Sequence, residues 1–516
     1  MNSSVLLDEG SAAAAAAAAT ILQGSLEASE FGRKFGKLPE KNLQKALSLM
    51  GKVGVRKCAK REQLPEDYIS QLPHEILVHI LSYLTFKEAV RTSVLSKCWT
   101  NLWTYSARLD FFDFSALQRM DESQAAEYKS VRKRERRKFV KWVNKVLQSH
   151  KALALDEFRV HFNLKRSSQK AIDKWLQFAF ARNVQRLTLD LSEHGSCGYF
   201  PKAYAFPYGP LGISGKSLES NSFALIDFKS LKALSLTRVN VSGEVLKFIL
   251  HHCQYLEHLV VRDSNDLINV EVSGPLALKH LEICFCFNIE CLTIHDANLV
   301  SLKISCIDTL VLKNVPMLAD VYVYSYSRGG VRGIITRLSC CLLKLQVLSL
   351  LISFDEVKQL KEMLHELPPQ LPKLKQLTLD VSAEEDESLI GLTSLIRVFP
   401  NLEKLVIKMW WDSETVIRPR KLGKAINHSL QHLEVLELSG FLGCTSEIEL
   451  VKYFLENAVA LEKIIIDPHQ DWGDFCCPEL ESEFKEATET EKCARKRAKR
   501  QLNRLIIPSH VELVIM

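Results

Sequence analysis

One short pattern recurs along most of this chain: an apolar residue, two variable ones, then Leu-x-Leu or an equivalent pair. It stands at Val184/Leu187/Leu189, Leu231/Leu234/Leu236, Leu256/Leu259/Val261, Leu278/Leu281/Ile283 and Leu299/Leu302/Ile304. It returns at Leu345/Leu348/Leu350, Leu374/Leu377/Leu379, Leu402/Leu405/Ile407, Leu433/Leu436/Leu438 and Leu461/Ile464/Ile466. A unit of this kind cannot bury its leucines alone, whereas stacked neighbours share one continuous apolar wall beneath a ladder of parallel strands. A repeat therefore excludes most compact folds and predicts a solenoid with an extended docking face.

Spacing refines this. From Leu231 the units start at 256, 278 and 299, that is 25, 22 and 21 residues apart, and from Leu345 they start 29, 28, 31 and 28 apart. Both sets fall at leucine-rich-repeat lengths. Extra copies at Ile289/Leu292/Ile294 and Ile307/Leu310/Leu312 halve the short spacing and predict a second extended segment on the outer side of those units. The longer units have room for helices, over 356–367 and 447–457. The fold class expected is α/β: a three-helix N-terminal module, then a leucine-rich horseshoe of parallel strands. Residues 192–221, rich in Gly, Ser, Pro and aromatics, break the repeat and read as a long rim loop, with or without a role.

Charge narrows the partners. With 67 basic against 61 acidic residues and a net charge of +6, bulk electrostatics does not call for nucleic acid or a membrane surface, and neither is expected as a partner. Two local clusters stand out: Lys129, Arg132, Lys133, Arg134, Arg136, Arg137, Lys138 and Lys141, and then Arg495, Lys496, Arg497, Lys499 and Arg500. Each reads as a solvated helix face, the plainer account, or as a nuclear-import or nucleic-acid patch. Fourteen cysteines at irregular spacing, with no Cys-x-x-Cys, read as reduced intracellular thiols. No uncharged apolar run approaches the roughly 18 residues of a membrane span, so a soluble protein of the nucleus or cytoplasm is expected.

Residues 1–62, with the run Ala12 to Ala19, show little periodicity and read as a disordered arm. The pattern then changes. In Leu72-Pro73-His74-Glu75-Ile76-Leu77-Val78-His79-Ile80-Leu81, a proline fits the first helical turn, and Ile76, Leu77, Ile80, Leu81 and Leu84 form one stripe. Thr85-Phe86-Lys87-Glu88 reads as a capping box opening a second helix, and Trp99, Leu102 and Trp103 share a face of a third after Ser96. About forty residues hold too little interior for so many large apolar groups, so part of this surface must meet either a partner or the first repeats.

The stretch Asp67-Tyr68-Ile69-Ser70-Gln71-Leu72-Pro73-His74-Glu75-Ile76-Leu77, with Lys87-Glu88-Ala89-Val90-Arg91-Thr92-Ser93-Val94-Leu95-Ser96-Lys97-Cys98-Trp99-Thr100-Asn101-Leu102-Trp103, resembles the F-box of plant F-box/leucine-rich-repeat proteins. Asn401-Leu402-Glu403-Lys404-Leu405-Val406-Ile407 is similar to their repeats. Ala460-Leu461-Glu462-Lys463-Ile464-Ile465-Ile466 and residues 505–515 are similar to their FBD tail. Tyr68 stands where the family often has Arg, and Cys98 where it usually has a basic residue.

The resemblance implies 1–62 as the arm, 63–110 as the F-box, 111–180 as a basic helical connection and first-repeat cap, 181–470 as repeats and 471–516 as the FBD-like region. It implies docking on a Skp-family adaptor, and through it on cullin and RING subunits, by Leu72, Pro73, Ile76, Leu77, Ile80, Leu81, Val94, Leu95, Trp99 and Trp103. The repeats would hold a protein to be ubiquitylated, and no catalytic residue or cofactor would be needed. A ligand-dependent sensor of the same architecture, or an interaction scaffold outside any ligase, are the alternatives. No metal site is expected: His251, His252, Cys253 and His258 sit among repeat leucines, and Cys253 and Cys286 read as small buried hydrophobes. Gly209, Gly212 and Gly215 do not make a phosphate-cradling loop, and Glu384/Glu385 read as solvated.

Overall fold

A computed structural model of the chain describes residues 72–84, 86–121, 128–192, 203–206, 229–274, 277–305, 307, 309–324, 330–338, 341, 344–363, 372–383, 388–396, 398–411, 429–469 and 489–516. The expected N-terminal arm, the cap residue Thr85, the glycine-bearing segment, the Glu384/Glu385 pair and most of the 192–221 loop lie outside them. The chain divides into two compact units, one holding the residues up to His161 with Lys174–Leu187, the other holding Phe162–Asp173 and Thr188–Met516.

In the first unit, α1 (His74–Leu81) and α2 (Phe86–Arg91) are followed by 3₁₀ turns at Thr92–Val94 and Leu102–Tyr105. Asn101, at φ 65° in the left-handed region, interrupts the expected third helix and leaves only the four-residue 3₁₀ turn Leu102–Tyr105 after it. Next come β1 (Arg108–Phe112), α3 (Phe114–Asp121), α4 (Tyr128–Ser149) and β2 (Glu157–His161). Strands β1 and β2 pair in parallel with Leu109 opposite Phe158 and Phe111 opposite Val160, and all four are buried. Helix α4 turns Phe139, Val143 and Val146 inward, the 3.6-residue periodicity of its sequence. Between the two units the chain runs through α5 (Gln169–Phe180) and β3 (Arg186–Asp190).

The second unit is the repeat region. After β4 (Tyr204–Ala205) come β5 (Ala233–Thr237), β6 (Val239–Asn240), α6 (Gly243–His252), β7 (His258–Arg262), β8 (Asn269–Ser273), β9 (His280–Cys284), β10 (Cys291–His295), β11 (Ser301–Ser305), β12 (Thr309–Lys313) and β13 (Asp320–Tyr324). Then follow α7 (Gly330–Arg337), β14 (Val347–Ser353), α8 (Phe354–Met363), β15 (Gln376–Ala383), α9 (Leu392–Ile396), β16 (Lys404–Trp411), β17 (Val435–Ser439), α10 (Thr445–Asn457), β18 (Lys463–Asp467), α11 (Glu489–Leu502) and β19 (Glu512–Ile515).

Strands β5, β7, β9, β11, β13, β14, β15, β16, β17, β18 and β19 hydrogen-bond in that order, each pair parallel. One row of side chains runs through the register: Leu234, Leu259, Leu281, Leu302, Val321, Leu348, Leu377, Leu405, Leu436, Ile464 and Leu513. All but Leu513 are at most 2% exposed, so each contributes about 1.5–3 kcal/mol of burial that it could not realise in a lone unit. The repeat motif thus falls on the strands, as its spacing predicts. The same ladder reaches past residue 470 to β19. It also includes β13, where Leu318/Val321/Val323 replaces leucine by valine and the motif goes unrecognised in the sequence.

The predicted second extended segment is present: β8, β10 and β12 form their own parallel sheet, with Val270, Leu292 and Leu310 in one row. Helices α8 and α10 occupy the long units. A left-handed residue directly follows β5, β7, β9, β10 and β12, at Arg238, Asp263, Phe285, Asp296 and Asn314. Arg238 and Asp263 there donate N–H to the next strand, at Arg262 O and Cys284 O, so the ladder continues one residue beyond the side-chain alternation before the chain turns. Asn and Asp tolerate that conformation, whereas Arg238 and Phe285 hold it at a cost of about 1–2 kcal/mol.

Candidate adaptor-docking module and recognition face

The helical module near the N-terminus is built around α1. Pro73 precedes the helix in an extended conformation, and its carbonyl accepts from Ile76 and Leu77 N–H at 3.0 and 3.1 Å, so the missing proline N–H costs nothing there. Past the far end of α1, Ser82 Oγ donates to His79 O at 2.6 Å. Thr92 Oγ1 donates to Ala89 O at 2.7 Å, closing the turn after α2.

Inside, Leu77, Ile80, Leu81, Ala89, Trp99 and Leu102 form one core. Leu77, Ile80, Leu81 and Trp99 are each no more than 3% exposed. These four adaptor-contact candidates face the module's own interior, where α1 lays its stripe against Ala89 of α2 and against Leu102. The remaining candidates divide. Leu72, Ile76 and Trp103 pack partly buried on the core's rim, Pro73 is exposed, and Val94 and Leu95 are 87% and 37% exposed. Tyr83, absent from the candidate set, is 53% exposed beyond the end of α1, with its hydroxyl 3.2 Å from His79 Nε2. It lies off the apolar stripe, so periodicity gave no sign of it.

The module is braced within its unit. Phe86 meets Trp103 edge-on at 5.7 Å and packs on Phe111 and Trp142 at 5.6 and 6.4 Å. Lys87 pairs with Asp113 at 3.1 Å and stands 5.6 Å above the Trp142 ring. The apolar surface that forty residues could not bury is thus shared with β1 and α4.

In the repeat unit, strand alternation sends one set of side chains to the face opposite the leucine core. There Arg262 pairs with Glu282 across β7 and β9, Lys303 lies 4.8 Å above the Tyr322 ring, and the Tyr322 hydroxyl donates to Asp380 at 3.0 Å. Cys284, Phe285, Tyr324 and Leu351 make a second apolar cluster at the strand ends, with Tyr322 against it. Phe285 N–H donates to Ser305 Oγ at 2.5 Å, which holds the left-handed turn. None of these residues stood out in the sequence, since each occupies a variable position of the motif.

The expected non-sites behave differently from one another. His251 and His252 are exposed, and His258 stacks on His280 at 4.4 Å. Cys253 is buried, its thiol pushed up to about 12 by burial, and Cys286 is fully buried. Among the described residues no group of three or more His, Cys, Asp or Glu side chains is placed to hold a metal, and no helix is long and apolar enough to cross a membrane.

Comparison with known proteins shows the family. The F-box domain model matches residues 69–110, and the family model described as At1g61320/AtMIF1, LRR domain, matches residues 146–516, well over half of the chain. F-box/LRR-repeat protein 25 of Arabidopsis thaliana is 30% identical over 42% of this chain and 76% of its own length. F-box/LRR-repeat protein At3g26922 is 31% identical over 51% of this chain and 84% of its own. F-box/FBD/LRR-repeat protein At3g26920 is 29% identical over 77% and 88%. Both of these are also from Arabidopsis thaliana. F-box domains bind Skp-type adaptors and leucine-rich repeats bind other proteins, so the architecture is that of a protein-interaction adaptor. The chain belongs to the plant F-box/leucine-rich-repeat family.

Proposed function

We propose that this chain is the substrate receptor of a Skp/cullin/F-box ubiquitin ligase, acting in the nucleus or cytoplasm. The observation that carries the reading is the joining, in one chain, of an F-box module with an exposed apolar rim to a parallel repeat sheet whose open face bears paired charges and aromatics. The rim formed by Leu72, Pro73, Ile76, Val94, Leu95 and Trp103 would dock on a Skp-family adaptor. A few anchors buried in a partner's pockets supply most of the affinity of such an interface.

The chain itself then needs no acid, base or nucleophile. Holding a target lysine near a thioester carried by the same assembly turns a bimolecular encounter into an effectively intramolecular one, and the gain comes from concentration and orientation. Affinity purification of the tagged full chain from plant cells tests this. Recovery of adaptor and cullin in stoichiometric amount is the expected result. Their absence, with other proteins still bound to the repeats, would overturn the ligase reading and leave a scaffold.

A further inference from the structure

We propose that α4 is a strip for the sugar–phosphate backbone of nucleic acid, bound without regard to sequence. The helix carries nine Lys and Arg in 22 residues and a single acid, Glu135. That acid is turned inward, its side chain 1% exposed, and is already paired with Arg119, Arg134 and Lys138 at 2.9, 3.1 and 3.0 Å. Lys129, Lys133, Arg137, Lys141 and Lys145 are all exposed and find no partner among the described residues. They recur every four residues, so each step rises about 6 Å and turns about 40°, and the series runs roughly 24 Å along the axis while winding around the exposed side of the helix. In that length one strand of a duplex presents about seven phosphates.

The other faces of the helix narrow the choice of ligand. Phe139, Val143 and Val146 are buried, and Trp142 packs on Phe86, Phe111 and Phe139 at 5.5–6.4 Å. A helix lying in a membrane surface needs a free apolar face, which α4 has spent on its own unit. A protein interface needs a desolvated apolar centre and is poor in lysine, whereas every exposed residue of α4 from Lys133 to Lys145 is lysine or arginine. Among the described side chains of α4 no ring is free to stack on a base, so the recognition proposed here rests on charge, which a polyphosphate satisfies and which carries no sequence information. The bulk charge balance, from which nucleic acid was not expected, averages this strip away.

Fluorescence anisotropy of the full chain with two unrelated 20-base-pair duplexes tests the assignment. Neutralising Z phosphates gives a log–log salt slope of about −0.9Z, so five cations predict a roughly five-hundredfold loss between 50 and 200 mM salt. In the variant Lys133→Gln/Arg137→Gln/Lys141→Gln the same change of salt should cost only about tenfold, with binding at 50 mM already weakened and thermal melting unchanged. The corresponding variant of α11, Lys496→Gln/Lys499→Gln/Arg500→Gln, should leave the slope as in the parent. Three results would each overturn the proposal: no parental binding at about 100 µM chain in low salt, the weak end of non-specific affinity; a slope that falls in the α11 variant and not in the α4 variant; or polyglutamate competing as well as DNA, which would point to an acidic protein.

Discussion

The hydroxyl of Tyr322 in β13 donates to Asp380 in β15 at 3.0 Å, reaching across the whole of β14. Neighbouring strands lie about 4.8 Å apart, so the phenol spans two strand spacings. The residue in register between them is Ser349, opposite Tyr322 on one side and Thr378 on the other, and its small side chain leaves the ring its path. Asp380 is 3% exposed, and a side-chain hydrogen bond of this kind contributes about 0.5–1.5 kcal/mol. Tyr322→Phe keeps the ring beneath Lys303 and removes only the donor. The variant should melt several degrees below the parent; an unchanged melting point would show that the bond contributes nothing net.

A buried acid, Glu447, organises the start of α10; burial pushes its carboxyl up to about 8 against the N–H donors that favour ionisation. Glu447 accepts from the N–H groups of Leu442, Gly443 and Cys444 at 2.9, 2.6 and 2.6 Å and from Trp411 Nε1 at 3.2 Å. Gly443 stands at φ +81°, and a Cβ there would come within 2.9 Å of Arg497 Cβ. Glu447→Ala would strand several buried donors at about 1–3 kcal/mol each, so it should lower the yield of folded protein sharply. Glu447→Gln, which retains one acceptor oxygen, should be intermediate. Equal stability of the two variants by denaturant titration would contradict this account.

The repeat was legible because its leucines are the residues that stacking buries, and the burial of Leu348, Leu377, Leu405 and Leu436 follows from their spacing alone. What the motif hides is the variable set. Tyr322, Asp380, Phe285 and Leu351 meet only when strands far apart in sequence lie side by side, and no local pattern reports a contact across 58 residues. The stripe of helix α1 is ambiguous for a related reason. An apolar stripe shows which face is covered, but Leu77, Ile80 and Leu81 would have the same periodicity whether a partner or their own module covered them.

Glu135 makes a pH prediction. Burial opposes ionisation of its carboxyl, but hydrogen bonds from Arg119, Lys138 and Arg134 outweigh it and hold the group down at about 2, against an ordinary 4.5. The unfolded chain therefore takes up this proton first, and the native state's advantage is fully present above pH 4.5 and is lost as pH falls towards 2. A shift of that size is worth up to about 3 kcal/mol, and less in practice because the three cations are half-exposed. Glu135→Gln should be less stable than the parent at pH 7, with the gap closing below pH 4. An undiminished gap at pH 2.5 would assign the loss to packing.

The last prediction separates folding from docking in the F-box. Leu77 is fully buried and Val94 is 87% exposed, although both belong to the apolar set that the resemblance assigns to the adaptor. Leu77→Ala opens a cavity in a core of few residues, at about 2–5 kcal/mol, enough to unfold the module and to abolish adaptor recovery indirectly. Val94→Asp touches no core residue and should leave melting unchanged, yet it sets a charge on the exposed apolar rim. If that rim is the docking surface, loss of an anchor worth about 2 kcal/mol lowers adaptor affinity roughly thirtyfold. Proteins retained by the repeats should still be recovered with this variant. Pull-down of the adaptor and thermal melting, measured together on both variants, decide the matter. Parental recovery of the adaptor by Val94→Asp would move the docking surface off the turn after α2 and towards Leu72, Pro73 and Ile76 at the start of α1.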